Sequence, residues 1–157
     1  MKNVVLFSEK TGWFRTLKDF HDEYGMSIVA LGGMSSLLSS EYFVEHLSQV
    51  TSLDQKFILI SAVDYDPSGD IIARSFCEQL ESQGMKECEL INTITLVNYT
   101  TEEIELFKYP VPTKYRAKIK KWLAATDGIN GEAYGLEADS MPRERYIKIV
   151  RGILAGL

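Results

Sequence analysis

Long apolar runs are missing from this chain of 157 residues. No stretch approaches the roughly 18–20 consecutive apolar residues that a membrane span needs, so no membrane association is expected. Histidine and cysteine are scarce, two of each. Cys77 and Cys88 have neither metal-ligand spacing nor a secretory context, which argues against a disulfide framework or a thiolate zinc site and makes a reduced, cytoplasmic setting the expectation. The N-terminus, Met1 to Ser8, lacks the small-residue cleavage site of a signal peptide and reads as a first buried strand. Prolines number four, and there is no Pro-, Gly- or Ser-rich linker, repeat or low-complexity tract. Hydrophobic residues at 45% and charged residues at 25% are globular proportions, which argue against disorder and fibre. The length suffices for one domain to bury a core without staples.

Acid outweighs base, 22 residues to 17, for a net charge of −5. The imbalance is uneven. Lys108, Lys114, Arg116, Lys118, Lys120 and Lys121 share a stretch with no acidic residue, and without these six the chain has 11 basic residues against 22 acidic, a net of −11. An acidic body with one basic segment points to a polyanion partner, or to a solvated helix face.

Strand and helix signals alternate over the first two-thirds. Asn3–Phe7 reads as a strand. Thr11 reads as an N-cap, followed by Trp13, Leu17, Phe20 and Tyr24 in one helical stripe, with Gly25 as the stop. Ser27–Leu31 reads as a second strand ending at Gly32-Gly33. A helix from Ser35 or Ser36 buries Leu37, Val44 and Leu47. Lys56–Val63 is the third and most apolar strand. A turn over Asp64–Gly69 leads into a helix to about Gln83, with Ile72, Phe76 and Leu80 inward. Glu89–Val97, rich in β-branched residues, reads as a fourth strand. This order predicts an α/β fold of the Rossmann-like kind: four mainly parallel strands flanked by helices. Glu102–Tyr109 reads as a short added strand or hairpin arm. A helix over Lys114–Ala125 sets Tyr115, Ile119, Trp122 and Leu123 on one face and Lys114, Lys118 and Lys121 on another. Thr126–Gly135 reads as loop, and a closing helix after Pro142 turns Tyr146, Ile149, Val150 and Ile153 inward. A core over 1–100 and a C-terminal helical extension over 101–157 are expected.

In parallel sheets, sites lie beyond the carboxyl ends of the strands. That rule selects Glu9, Gly32-Gly33 and the pair Asp64/Asp66. In extended chain, residues two apart point the same way, so both aspartates can converge on one point. Two like charges there need protons or a metal. Hard oxygen ligands suit Mg²⁺ or Mn²⁺, and Glu9 supplies a third carboxylate, so Glu9, Asp64 and Asp66 are the expected metal site and the expected catalytic acids. Taken singly, either Asp fits a turn former or a helix cap equally well.

The run Phe7-Ser8-Glu9-Lys10, the Gly32-Gly33 turn and Asp64-Tyr65-Asp66 together resemble the Toprim domain of topoisomerases, primases and some nucleases. Asp66-Pro67-Ser68-Gly69 and Glu9-Lys10 ahead of Gly12-Trp13-Phe14 are most similar to the A subunit of type IIB topoisomerase, DNA topoisomerase VI. The resemblance covers about residues 2–97, and Gly135-Leu136-Glu137-Ala138-Asp139 is similar, less specifically, to the segment after such cores. It implies Mg²⁺-dependent phosphodiester cleavage or transfer on DNA or RNA, with Glu9 as general acid/base and Lys10, Lys114, Lys118 and Lys121 on nucleic acid. It also implies a tyrosine-bearing winged-helix domain, expected outside this chain, or an ATPase subunit of the GHKL type in trans. None of the eight tyrosines stands in the context of that nucleophile, and the glycine turn lacks the lysine usual in the A subunit. A small nuclease using water and a non-catalytic nucleic-acid-binding module are the alternatives. Glu137 and Asp139 read as outer-shell acids or loop caps. Haloacid dehalogenases need Asp-x-Asp after the first strand, where Glu9 stands, and receiver domains expect acids there and a lone Asp after the third.

Overall fold

The computed structural model describes residues 1–32 and 37–157, and within these every side chain except those of Phe14, Leu37, Leu38, Ser39 and Tyr115. Gly33 and the predicted helix start at Ser35 or Ser36 lie outside the described residues. The chain forms two compact units, Met1–Ala62 with Ile72–Asn92, and Val63–Ile71 with Thr93–Leu157. The stretch beyond the third strand thus belongs with the C-terminal part.

The first unit is an α/β layer. Its strands β1 (Val4–Ser8), β2 (Ser27–Ala30), β3 (Lys56–Ala62) and β4 (Glu87–Asn92) form one sheet in the order β2-β1-β3-β4. Every pairing is parallel, with Ser8 opposite Ala62 and Ser61 opposite Asn92. The two central strands are buried, β1 along its whole length and β3 from its second residue, as a sheet covered on both faces requires. The edge strands are only partly buried, and β4 carries Glu87 and Glu89 outward, charges that discourage pairing with another chain. Helices α1 (Phe14–Tyr24), α2 (Leu37–Ser48) and α3 (Pro67–Ser82) are the crossovers.

Of the predicted stripe, Leu17 and Phe20 of α1 are buried with Trp13 of the turn before it, while Tyr24 at the helix end is half-buried. Gly25 ends the helix in the left-handed region at φ 70°, where a side chain would be strained. Thr11 opens a 3-10 turn over Thr11–Trp13 instead of capping α1. Phe76 on α3 meets Phe7 of β1 with ring centroids 4.9 Å apart, fixing one helix layer to the sheet.

The fourth strand starts and ends earlier than its β-branched content predicted. Its register against β3 runs out at Asn92, and Leu96–Asn98 turns as 3-10 helix. Thr93 and Ile94 are buried without joining the sheet, so packing rather than strand pairing uses those residues.

The second unit is built of short pieces: α4 (Thr101–Phe107), β5 (Tyr109–Pro110), α5 (Arg116–Thr126), β6 (Tyr134–Gly135) and α6 (Arg143–Ala155). The predicted strand over Glu102–Tyr109 is corrected to α4. Thr100 accepts from the Glu103 N–H at 3.1 Å and Glu103 accepts from the Thr100 N–H at 2.8 Å, a reciprocal box that starts a helix. Only Tyr109–Pro110 is extended, paired antiparallel with β6. Trp122, Tyr146, Val150 and Leu154 are buried in this unit, while Ile149 and Ile153 are half-buried. Among the described residues, no helix is long and apolar enough to cross a membrane.

Candidate acidic site

Asp64 and Asp66 belong to the second unit, in the turn that precedes α3. Tyr65 between them forms a bridge with Leu136, its N–H donating at 2.8 Å and its carbonyl accepting at 3.0 Å. The neighbours of a bridged residue project to the opposite side from its own side chain. Tyr65 accordingly turns to Trp122, ring centroids 5.1 Å apart, and donates its hydroxyl to the Gly128 carbonyl at 2.7 Å. Burial pushes its phenol above the usual range.

Each aspartate is oriented by the protein. Asp64 Oδ1 accepts the Ala138 N–H at 2.7 Å. Asp66 Oδ1 accepts the Gly69 N–H at 2.6 Å and its backbone carbonyl accepts the Asp70 N–H at 3.1 Å, so Asp66 is the N-cap of α3 with Pro67 in the first helical position. Of the two local roles open to either Asp, Asp66 takes the helix cap. Gly69 is dictated by space: a Cβ there would overlap the Asp64 carbonyl. The Asp-Pro-Ser-Gly run is therefore a tight capped entry to α3 as well as a carrier of acids.

The other oxygen of Asp66, Oδ2, accepts a hydrogen bond from the Tyr109 hydroxyl. Burial and this bond push the Tyr109 phenol far above its ordinary range, and the charges of Asp64 and Glu137 add to the shift. Tyr109 also lines a cavity of about 430 Å³ with Phe107, Glu137, Asp139 and Ser140. Sequence reasoning missed Tyr109, which sits 43 residues from its acid.

Glu9 follows the last residue of β1 and is half-buried in the first unit. Beside it, Ser8 Oγ donates to the Lys10 carbonyl at 2.9 Å, and Lys10 is exposed. Gly32, in the turn after β2, adopts φ 64°. Glu137 and Asp139 are exposed around Ala138, the residue that pins Asp64.

The basic segment divides. Lys108 is engaged, 3.2 Å from Glu105 and with its ammonium over the Tyr134 ring. Lys114 lies in a 3-10 turn over Thr113–Tyr115, so the predicted helical row of Lys114, Lys118 and Lys121 begins before the α-helix does. Lys114, Arg116, Lys118, Lys120 and Lys121 are all exposed, and Trp122 anchors α5 from the buried side.

Mg²⁺ characteristically takes one or two carboxylates and fills its remaining positions with water and substrate phosphate. Asp64 and Asp66 are hard oxygen donors of that kind, Asp64 held by Ala138 and Asp66 by Gly69 and Tyr109. Among the described residues, no group of three or more His, Cys, Asp or Glu side chains is placed to hold a metal ion, so no all-protein cage is seen there. No family model, curated protein or solved structure matches the chain.

Proposed function

We propose that this chain is a Toprim-like module, akin to that of the topoisomerase VI A subunit, that uses Mg²⁺ or Mn²⁺ at Asp64 and Asp66 to support cleavage or transfer of nucleic-acid phosphodiesters. One observation carries the reading: two aspartates follow the carboxyl end of a central parallel strand, and each is oriented by a donor from elsewhere in its unit. A divalent ion bound there supplies charge stabilisation at the scissile phosphate. Asp64 and Asp66 hold that ion. By the resemblance, Glu9, which follows β1, would be the general acid/base, passing a proton to the leaving oxygen or taking one from the attacking oxygen. Lys10 and the exposed cations of α5 and the turn before it, Lys114, Lys118 and Lys121, contact the backbone of DNA or RNA. The tyrosine domain or a GHKL-type ATPase subunit would act in trans.

Nicking of supercoiled plasmid in Mg²⁺ or Mn²⁺, abolished by Asp64→Asn and by Glu9→Gln, tests the reading. Thermal melts give a readout independent of activity: metal should raise the melting temperature of the wild type and not that of Asp64→Asn. Equal metal shifts in both proteins would end it. A non-catalytic binding module is the second reading, favoured by the lack of a group of three candidate ligands among the described residues. It expects salt-sensitive DNA binding without nicking, weakened when Lys114, Lys118 and Lys121 are replaced by Ala.

A further inference from the structure

We infer that Tyr109 is the positioning residue of Asp66, its hydroxyl holding the carboxylate in the orientation a divalent cation requires. The assignment rests on the metal reading above. An unsupported carboxylate on a turn samples several rotamers, and a ligand pays that freedom back on binding. Asp66 has little such freedom: the Gly69 N–H holds Oδ1 and the Tyr109 hydroxyl holds Oδ2. Each oxygen keeps a second lone pair, so both donors can stay while a cation binds.

The seat of Tyr109 is itself built. Its partner across the hairpin is Gly135. A Cβ on Gly135 would stand 3.1 Å from the Tyr109 ring and hydroxyl and 2.5 Å from the Tyr65 carbonyl. Glycine at 135 therefore leaves room for the Tyr109 phenol beside the run whose next residue, Leu136, bridges Tyr65 in the aspartate turn. The same short run continues to Ala138, whose N–H holds Asp64. One segment, Gly135–Ala138, thus seats the tyrosine for one aspartate and supplies the donor for the other. Outer-shell donors to ligating carboxylates typically change metal affinity by about 10–100-fold when removed.

The test is a double-mutant cycle on Mn²⁺ affinity, read by electron paramagnetic resonance of free Mn²⁺, with metal-free melting temperatures alongside. Tyr109→Phe keeps the ring and should weaken Mn²⁺ binding about 10–100-fold. In an Asp66→Asn background the same change should cost nothing, because the carboxylate it serves is gone. Tyr134→Phe, the neighbouring hairpin position, should leave affinity unchanged. A purely structural role for Tyr109 predicts an equal loss in both backgrounds, and that result, or unchanged affinity in Tyr109→Phe, overturns the assignment while leaving the metal reading in place. If the wild type binds Mn²⁺ no better than Asp66→Asn, both fall. Should Tyr109→Phe not fold, Tyr109→Leu, which removes the hydroxyl and keeps an apolar side chain, must weaken Mn²⁺ binding in the wild-type background and not in Asp66→Asn, or the assignment fails.

Discussion

The two units of this chain are stabilised by different means. In the first, continuous apolar strands are buried at the centre of a parallel sheet, and helices with apolar stripes cover it. In the second, strands of two residues and helices of 7–13 are tied by side chains reaching backbone: Asp64 to Ala138, Asp66 to Gly69, Tyr65 to Gly128, Thr100 to Glu103. Apolar burial is non-directional and tolerates shifts of fractions of an ångström, whereas a hydrogen bond loses value quickly with angle and distance. The first arrangement makes a stiff frame. The second fixes particular oxygens in particular directions, which is what a site for a cation or a phosphate needs.

Mutations can break that contrast. The largest effect is expected in the frame. Leu59 on β3 is fully buried, and Leu59→Ala should cost about 3–5 kcal/mol in urea unfolding. A loss under about 1 kcal/mol would mean the sheet is not the frame. Next comes Gly69→Ala, whose methyl would overlap the Asp64 carbonyl backbone, a group that cannot rotate away. About 1–3 kcal/mol of destabilisation is expected. A neutral result would show the aspartate turn to be far more compliant than its hydrogen bonds imply. Thr100→Ala removes half of the reciprocal cap on α4 and should cost about 1 kcal/mol, with Thr100→Ser restoring most of it.

The smallest effect is electrostatic. Arg145 lies 2.7 Å from Glu103, and its hydrogen bond, aided by the Thr100 N–H, pulls the Glu103 carboxyl down to about 2 from an ordinary 4.5. A lowered folded-state pKa contributes stability that is whole above 4.5 and drains away as pH falls towards 2. Across that window the wild type should lose more stability than Glu103→Gln. Parallel acid-unfolding curves for the two proteins would remove Glu103 from the account.

The same contrast decides what could be read from sequence. Trp13, Leu17 and Phe20 revealed α1 because burial of one face imposes a 3.6-residue period on a helix. Asp64-Tyr65-Asp66-Pro67-Ser68-Gly69 revealed a turn entering a helix because proline and glycine there have local, steric reasons. Helix α4 was missed although its cap signal was present, Thr100 and Glu103 at cap spacing, because seven residues are too few for a helical stripe to show. The far end of β4 was misplaced because β-branched residues favour strand while the register with β3 stops at Asn92. Tyr109 was invisible as a partner of Asp66. A contact across 43 residues leaves no trace in local pattern, and only the pairing of Tyr109 with Gly135 brings the hydroxyl into place.

The bond from the Ala138 N–H to Asp64 spans 74 residues. On a ribosome adding about 5–20 residues per second, the strand that leads into Asp64 is made about 4–15 s before the donor that orients it. Leu136, which bridges Tyr65, emerges barely sooner. The sheet's own pairings need nothing beyond Asn92. During synthesis the frame can therefore assemble first and the acidic turn last, so a nascent chain would carry its parallel sheet for seconds before it could orient the two aspartates.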